Sequence, residues 1–140
     1  MGKRIRKTRK LKRKSTRSKR QRGGALDIRL RGNNAPDVNF SGSGLYTVIM
    51  WDPDAHAKSW LHWLVINAEE GDVRRGEVIM NYAPPSPPSG THKYFIAMYS
   101  QAGPLRLEEK PAERGYFNVD NFVAENKLLK VGEFMFEQSA

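Results

Sequence analysis

The sequence predicts a mainly β domain of the α+β class, with antiparallel pairing through most of its sheet and one short helix late in the chain. Three observations lead there. The apolar runs are short and rich in β-branched and aromatic residues. They are bounded by Gly, Pro, Asn and Asp. No helical pattern of roughly twelve residues, the minimum for a βαβ crossover, separates them.

The elements follow in order. Leu26, Ile28 and Leu30 alternate with Asp27, Arg29 and Arg31, which suits an edge strand whose charges discourage unwanted pairing. Residues 33–39 read as turn material, with Pro36 opening a short strand toward Phe40. After the glycine-rich turn 41–44, Leu45-Tyr46-Thr47-Val48-Ile49-Met50-Trp51 reads as a central strand. The next strand starts at Trp60 or Leu61 and runs to Asn67. Strict alternation puts His62, Leu64 and Ile66 on one side and Trp63, Val65 and Asn67 on the other. Residues 68–71 carry a turn, and a strand centres on Val78-Ile79-Met80. Residues 83–90 hold four prolines in eight, a stiff extended loop that cannot be a sheet interior. Residues 91–99 place His92, Tyr94, Ile96 and Met98 on one face of a strand. Asn118 is a plausible helix cap ahead of Val119, Phe122 and Val123, with the helix reaching about Lys127. Glu133-Phe134-Met135-Phe136-Glu137 closes the sheet.

The charge is not spread evenly. The whole chain carries a formal +9, yet 13 of its 24 Lys and Arg lie in residues 1–24 with no acid among them. The 11 basic and 15 acidic residues from Ala25 onward leave that part at −4. Two units are expected: a disordered Lys/Arg-rich tail over 1–24, too poor in apolar residues to offset the ordering of its backbone, and one compact domain over 25–140. Such a tail condenses on phosphate polymers without reading bases, so nonspecific nucleic-acid contact through residues 3–22 is an expected partner mode. The absence of cysteine excludes a disulfide framework and thiolate chemistry. No apolar stretch has membrane-spanning length, and the N-terminus lacks a secretory h-region. An intracellular location, cytoplasmic or nuclear, is expected, or a virion if the source is viral.

The residues that bear chemistry gather around Asp52-Pro53-Asp54-Ala55. Pro53 holds Asp52 extended as the central strand ends, fixing the direction of its carboxylate. His62, His92 and Tyr94 start the two strands expected to flank it. Asp52-Pro53-Asp54-Ala55, then His62-Trp63-Leu64-Val65-Ile66-Asn67, Pro87-Pro88-Ser89-Gly90, His92-Lys93-Tyr94 and Arg114-Gly115-Tyr116-Phe117 resemble, in that order, blocks of the phosphatidylethanolamine-binding protein family over roughly residues 36–137. The resemblance implies a β-sandwich with a small surface cavity for phosphate-type anions, phospholipid head groups included. It also implies a binding or regulatory role without catalysis or cofactor, toward protein partners such as a kinase. By the same resemblance Asp52, His62, Pro88, His92 and Tyr94 build the cavity wall, while Asp54 and Arg114 hold the surrounding loops. The chain departs from the family at His56, where Pro is usual, at Ser86, where Gly is usual, and at Lys93, where Arg is usual. Nor does it show the long leading segment or closing helix that shields the cavity in many members.

These residue types suit an anion. His62 and His92 are expected to donate hydrogen bonds, with charge if an imidazole is protonated near pH 6.5, and Tyr94 offers a hydroxyl. Asp52 is expected to orient and charge a histidine from behind, or to accept a hydrogen from a head group. Binding should strengthen on the acid side. Trp60 and Trp63 are placed to line the mouth, and Arg114 is expected to pair with Asp54. Two other readings remain open at this point. A metal or Asp-His hydrolase lacks any tight ligand spacing or serine elbow. An interaction protein acting on nucleic acid through its tail, with a vestigial pocket, lacks no residue that it needs.

Overall fold

The computed structural model describes residues 26–140 together with two short backbone segments nearer the N-terminus. Among the described residues there are nine strands: β1 Ile5–Arg6, β2 Arg20–Gly23, β3 Leu26–Arg31, β4 Asn34–Phe40, β5 Leu45–Asp52, β6 Trp60–Glu69, β7 Glu77–Met80, β8 Thr91–Ser100 and β9 Leu129–Ser139. The one α-helix, α1, spans Val119–Glu125. Six strands form a sheet in the order β1-β9-β8-β5-β6-β7, and β2-β3-β4 form a second sheet. Every pairing between strands is antiparallel.

The two faces of the large sheet are covered differently. Tyr46, Val48 and Met50 of β5 and Tyr94, Ile96 and Met98 of β8 pack toward Leu26, Ile28 and Val38 of the small sheet, which makes the sandwich core. The alternate residues Ile49, Ala97 and Tyr99 face Phe122 and Leu128, with Leu105, Leu107 and Phe117 of the preceding loop. Val38, Ile49, Leu64, Ile96 and Met98 are each fully buried, and burying one such side chain contributes about 1.5–3 kcal/mol. The sandwich is therefore two apolar layers on one central sheet. Asn118 caps α1, its side chain accepting from the Asn121 amide at 2.9 Å. The helix ends two residues short of the expected Lys127.

Three sequence expectations change. Strand β4 begins at Asn34, because a two-residue turn at Gly32-Asn33, with Gly32 at φ +63°, returns the chain at once into pairing with β3. Strand β6 continues to Glu69 and turns only at Glu70-Gly71. Its alternation is also broken. Met50 pairs with Trp63 and Trp51 with Leu61, so His62 is the extra residue of a β-bulge. The bulge leaves Leu61, Leu64 and Ile66 in the helix-side core, with Trp63 and Val65 in the sandwich core. His62 is not on the face of Leu64 and Ile66, as strict alternation required.

The expectation of disorder over 1–24 falls largely outside the described residues. Within that stretch, the backbone of β1 pairs with Gln138 and Glu137, and that of β2 pairs with β3.

Candidate ligand-binding cavity

Antiparallel pairing brings the end of β5, the start of β6 and the start of β8 to one end of the large sheet. There they open on a cavity of about 310 Å³. Asp52, His62, Pro88, His92 and Tyr94 all line it, joined by Trp60, His56 and Ser86. Because of the bulge, Asp52 pairs with Trp60, which is how an indole takes a place beside the carboxylate.

Asp52 is only 3% exposed, and both of its oxygens are engaged. Oδ1 accepts from the Asp54 amide at 2.8 Å, and Oδ2 lies 2.7 Å from His92 Nδ1. The histidine backed by the aspartate is thus His92. His62, 4% exposed, donates from Nδ1 to the Ala83 carbonyl at 2.6 Å. Its ring stands edge-on to Trp60 and to Tyr94, with centroids 4.7 and 5.3 Å away. Burial moves the His62 pKa below its ordinary value, against the Ala83 contact and Asp52, with Arg114 and His92 adding to the fall. Neutral His62 therefore keeps its hydrogen on the Ala83 side and turns a lone pair, not a donor, from Nε2. That corrects the expectation that neutral His62 donates into the cavity. The Tyr94 hydroxyl is held protonated, its pKa raised by burial and by Asp52 and Asp54.

The wall of prolines is tied down from several directions. The Ala83 amide donates to the His62 carbonyl at 2.9 Å, and Ala140 N to Gly90 O at 2.9 Å. Gln138 Nε2 donates to Pro85 O at 3.2 Å. Gln138 sits opposite His92 in the β8–β9 register and is 4% exposed. The sequence reading missed it. Its signal was a polar residue at the end of the alternation Phe134, Phe136, Gln138, where a third apolar side chain belongs.

Asp54 Oδ2 accepts from the Lys93 amide at 2.8 Å. Arg114 does not pair with it. Its guanidinium donates to the carbonyls of Leu61 and His62 at 3.1 Å and of Asn81 at 2.7 Å, and lies over the Trp60 ring. Carbonyl oxygens only accept, and a five-donor guanidinium fork can answer all three at once. Gly115 follows because a Cβ there would stand 3.0 Å from Ala57 Cβ, at the lip. Trp63 does not border the cavity: it is buried in the sandwich core, edge-on to Tyr82. Among the described residues no group of three or more His, Asp or Glu is placed to hold a metal ion. No helix there is long and apolar enough to cross a membrane.

The comparisons with known proteins agree on one family. The pattern of the phosphatidylethanolamine-binding protein family matches residues 4–138. The chain belongs to that family. It is 38% identical over 107 residues to the Oryza sativa protein MOTHER of FT and TFL1 homolog 2, covering 66% of this chain and 60% of the rice protein. The crystal structure of a carboxypeptidase Y inhibitor complexed with its cognate proteinase shares the fold, with a TM-score of 0.60 at 18% identity, over 76% of this chain and 71% of that one. The chain spans 40% to 60% of the length of the curated relatives it matches.

Proposed function

We propose that this protein is a binding and regulatory protein whose cavity takes a phosphoryl-type anion, either on a small molecule or as a phospholipid head group. One observation supports this most. Three unpaired polar atoms, on His62, His92 and Tyr94, converge on a preformed hollow walled by rigid prolines, the design expected of a small-ligand site. Asp52 makes the arrangement tolerant of an anion, because its charge is turned to His92 and the Asp54 amide. A kinase or a protease is the class of protein partner the family suggests, and the bound anion is then a signal that partner reads. Catalysis is not part of the reading.

Calorimetric titration of the full chain with inorganic phosphate and phosphorylethanolamine tests it. Binding with Kd below about 1 mM, lost in His92→Ala and accompanied by no hydrolysis of a phosphate monoester, is the expected result. No heat from either ligand, with an unaltered fold, removes the reading.

A second reading has its own observation, the 13 basic and no acidic residues of 1–24. Counterion release on a nucleic acid would then carry the function, at a nuclear or virion location, with the cavity vestigial. Replacing the Lys and Arg of residues 7–19 by Gln separates the two: loss of salt-sensitive DNA binding with phosphate binding intact makes the activities independent.

A further inference from the structure

The cavity's polar atoms have fixed directions, and these directions decide what they bind. Asp52 is engaged by His92 and Asp54, and Gln138 Nε2 by Pro85. Beside them in the lining, His62 Nε2, His92 Nε2 and the Tyr94 hydroxyl make no hydrogen bond to any described residue. Ser59 Oγ is the one side-chain polar atom among the described residues that is both sealed and unpartnered, so these three open onto the hollow they line. His62 is 4% exposed and Tyr94 1%, while the His92 side chain is 13% exposed.

The hydrogens follow from the partners. A carbonyl oxygen only accepts, so Ala83 fixes the His62 hydrogen on Nδ1. An ionised carboxylate only accepts, so Asp52 fixes a hydrogen on His92 Nδ1 as well. A neutral imidazole so arranged presents a lone pair at Nε2. Neutral His62 therefore turns an acceptor into the cavity, opposite to what a fully ionised oxyanion needs. The titratable and charged groups around these side chains are Asp52 from β5, Tyr82 from the segment after β7, His92 and Tyr94 from β8, Arg114 from the loop before α1, with His56 at the lip and Asp54 beside it. Of these, Arg114 is committed to carbonyls and Asp54 to the Lys93 amide.

We infer that the cavity selects an oxyanion that carries its own proton: a phosphoryl monoester in its monoanionic form, whose P–OH donates to His62 Nε2 while a charged oxygen accepts from the Tyr94 hydroxyl. Sulfate or a phosphodiester fills the same space but sets a negative oxygen against the His62 lone pair. This inference rests on the anion-binding reading and sharpens its ligand.

The test is calorimetry on the full chain at pH 6, near the second ionisation of a phosphate monoester at about 6. The probes are methyl phosphate, inorganic phosphate, sulfate, dimethyl phosphate and glycerophosphorylethanolamine, a soluble lipid head group. An unmet buried hydrogen bond predicts that the first two bind at least about tenfold tighter than sulfate and dimethyl phosphate. Glycerophosphorylethanolamine, a diester, should rank with dimethyl phosphate, which makes a free monoester the source. Sulfate or dimethyl phosphate within about twofold of methyl phosphate overturns the inference, as does the head group binding about tenfold tighter than methyl phosphate. Silence from all five probes defeats the anion-binding reading and the inference with it. His62→Gln, whose amide offers N–H into the same space, should bring sulfate to within about threefold of methyl phosphate; an unchanged ratio also overturns it.

Discussion

Two polar clusters lie at opposite ends of β5, on opposite faces of the large sheet, and β6 bulges at both. At one end Thr47 Oγ1 and the Asn67 amide both donate to Gln101 Oε1, at 2.7 and 2.9 Å. Gln101 Nε2 donates to Asn67 Oδ1 and Gly103 O, while Asn67 exchanges two hydrogen bonds with the Leu105 backbone at 3.0 and 2.8 Å. That cluster is closed, each group answered by another, and its work is to fasten the loop after β8 to the sheet. At the other end Asp52, His62, His92 and Tyr94 answer one another only in part, and their leftover atoms face a hollow. A closed network stabilises; an open one with the same degree of burial is held for something that arrives from outside.

Breaking the closed cluster should have the largest effect on folding. Gln101→Ala strands Thr47, Asn67 and the Gly103 carbonyl together, and a loss of about 2–4 kcal/mol is expected in urea denaturation. Phosphate affinity should stay within about twofold, since Gln101 lies outside the cavity. The opposite profile is expected of His92→Ala: at least about a tenfold loss of phosphate affinity, or 1.4 kcal/mol, with a smaller change in stability. If both variants lose stability equally and neither loses binding, the contrast between the clusters is wrong.

The pH response sharpens the contrast further. Because burial depresses the folded-state pKa of His62, the unfolded chain takes up the proton first as pH falls through about 6.5. Stability should therefore decline from that point downward, by at most about 1.4 kcal/mol per pH unit, until the folded ring also protonates. Urea melts between pH 8 and 5 read this slope, which should be shallower in His62→Gln. The smallest effect is expected from Gln138→Leu, which frees the Pro85 carbonyl: about 1 kcal/mol of stability, and a several-fold loss of affinity as the proline wall loosens.

The sequence carried much of this, and its omissions are instructive. Period-two alternation in β8 placed Tyr94, Ile96 and Met98 correctly, because a regular strand needs no knowledge of its neighbour. The ordered motifs around Asp52, His62, Pro88 and His92 were enough to suggest one cavity. The bulge at His62 could not be read, since a bulge is a property of two strands in register. It carried with it the orientation of Trp60 and the exclusion of Trp63. Gln138 was hidden for the same reason: its partner, Pro85, is distant in the chain and close only across the sheet. The hydrogen on His62 was equally out of reach, because Ala83 decides it.

The most direct measurement is a long-range proton–nitrogen spectrum of the histidine side chains of the full chain, taken first on the free protein at pH 7.5 and then at pH 6, near the monoester's second ionisation at about 6, while methyl phosphate is added. The account predicts that free His62 carries its hydrogen on Nδ1 and none on Nε2, and that the Nε2 signals of His62 and His92 move together along one saturating curve. A free His62 with the hydrogen on Nε2, or ring signals that stay still while the phosphate rises to several times about 1 mM, would contradict it.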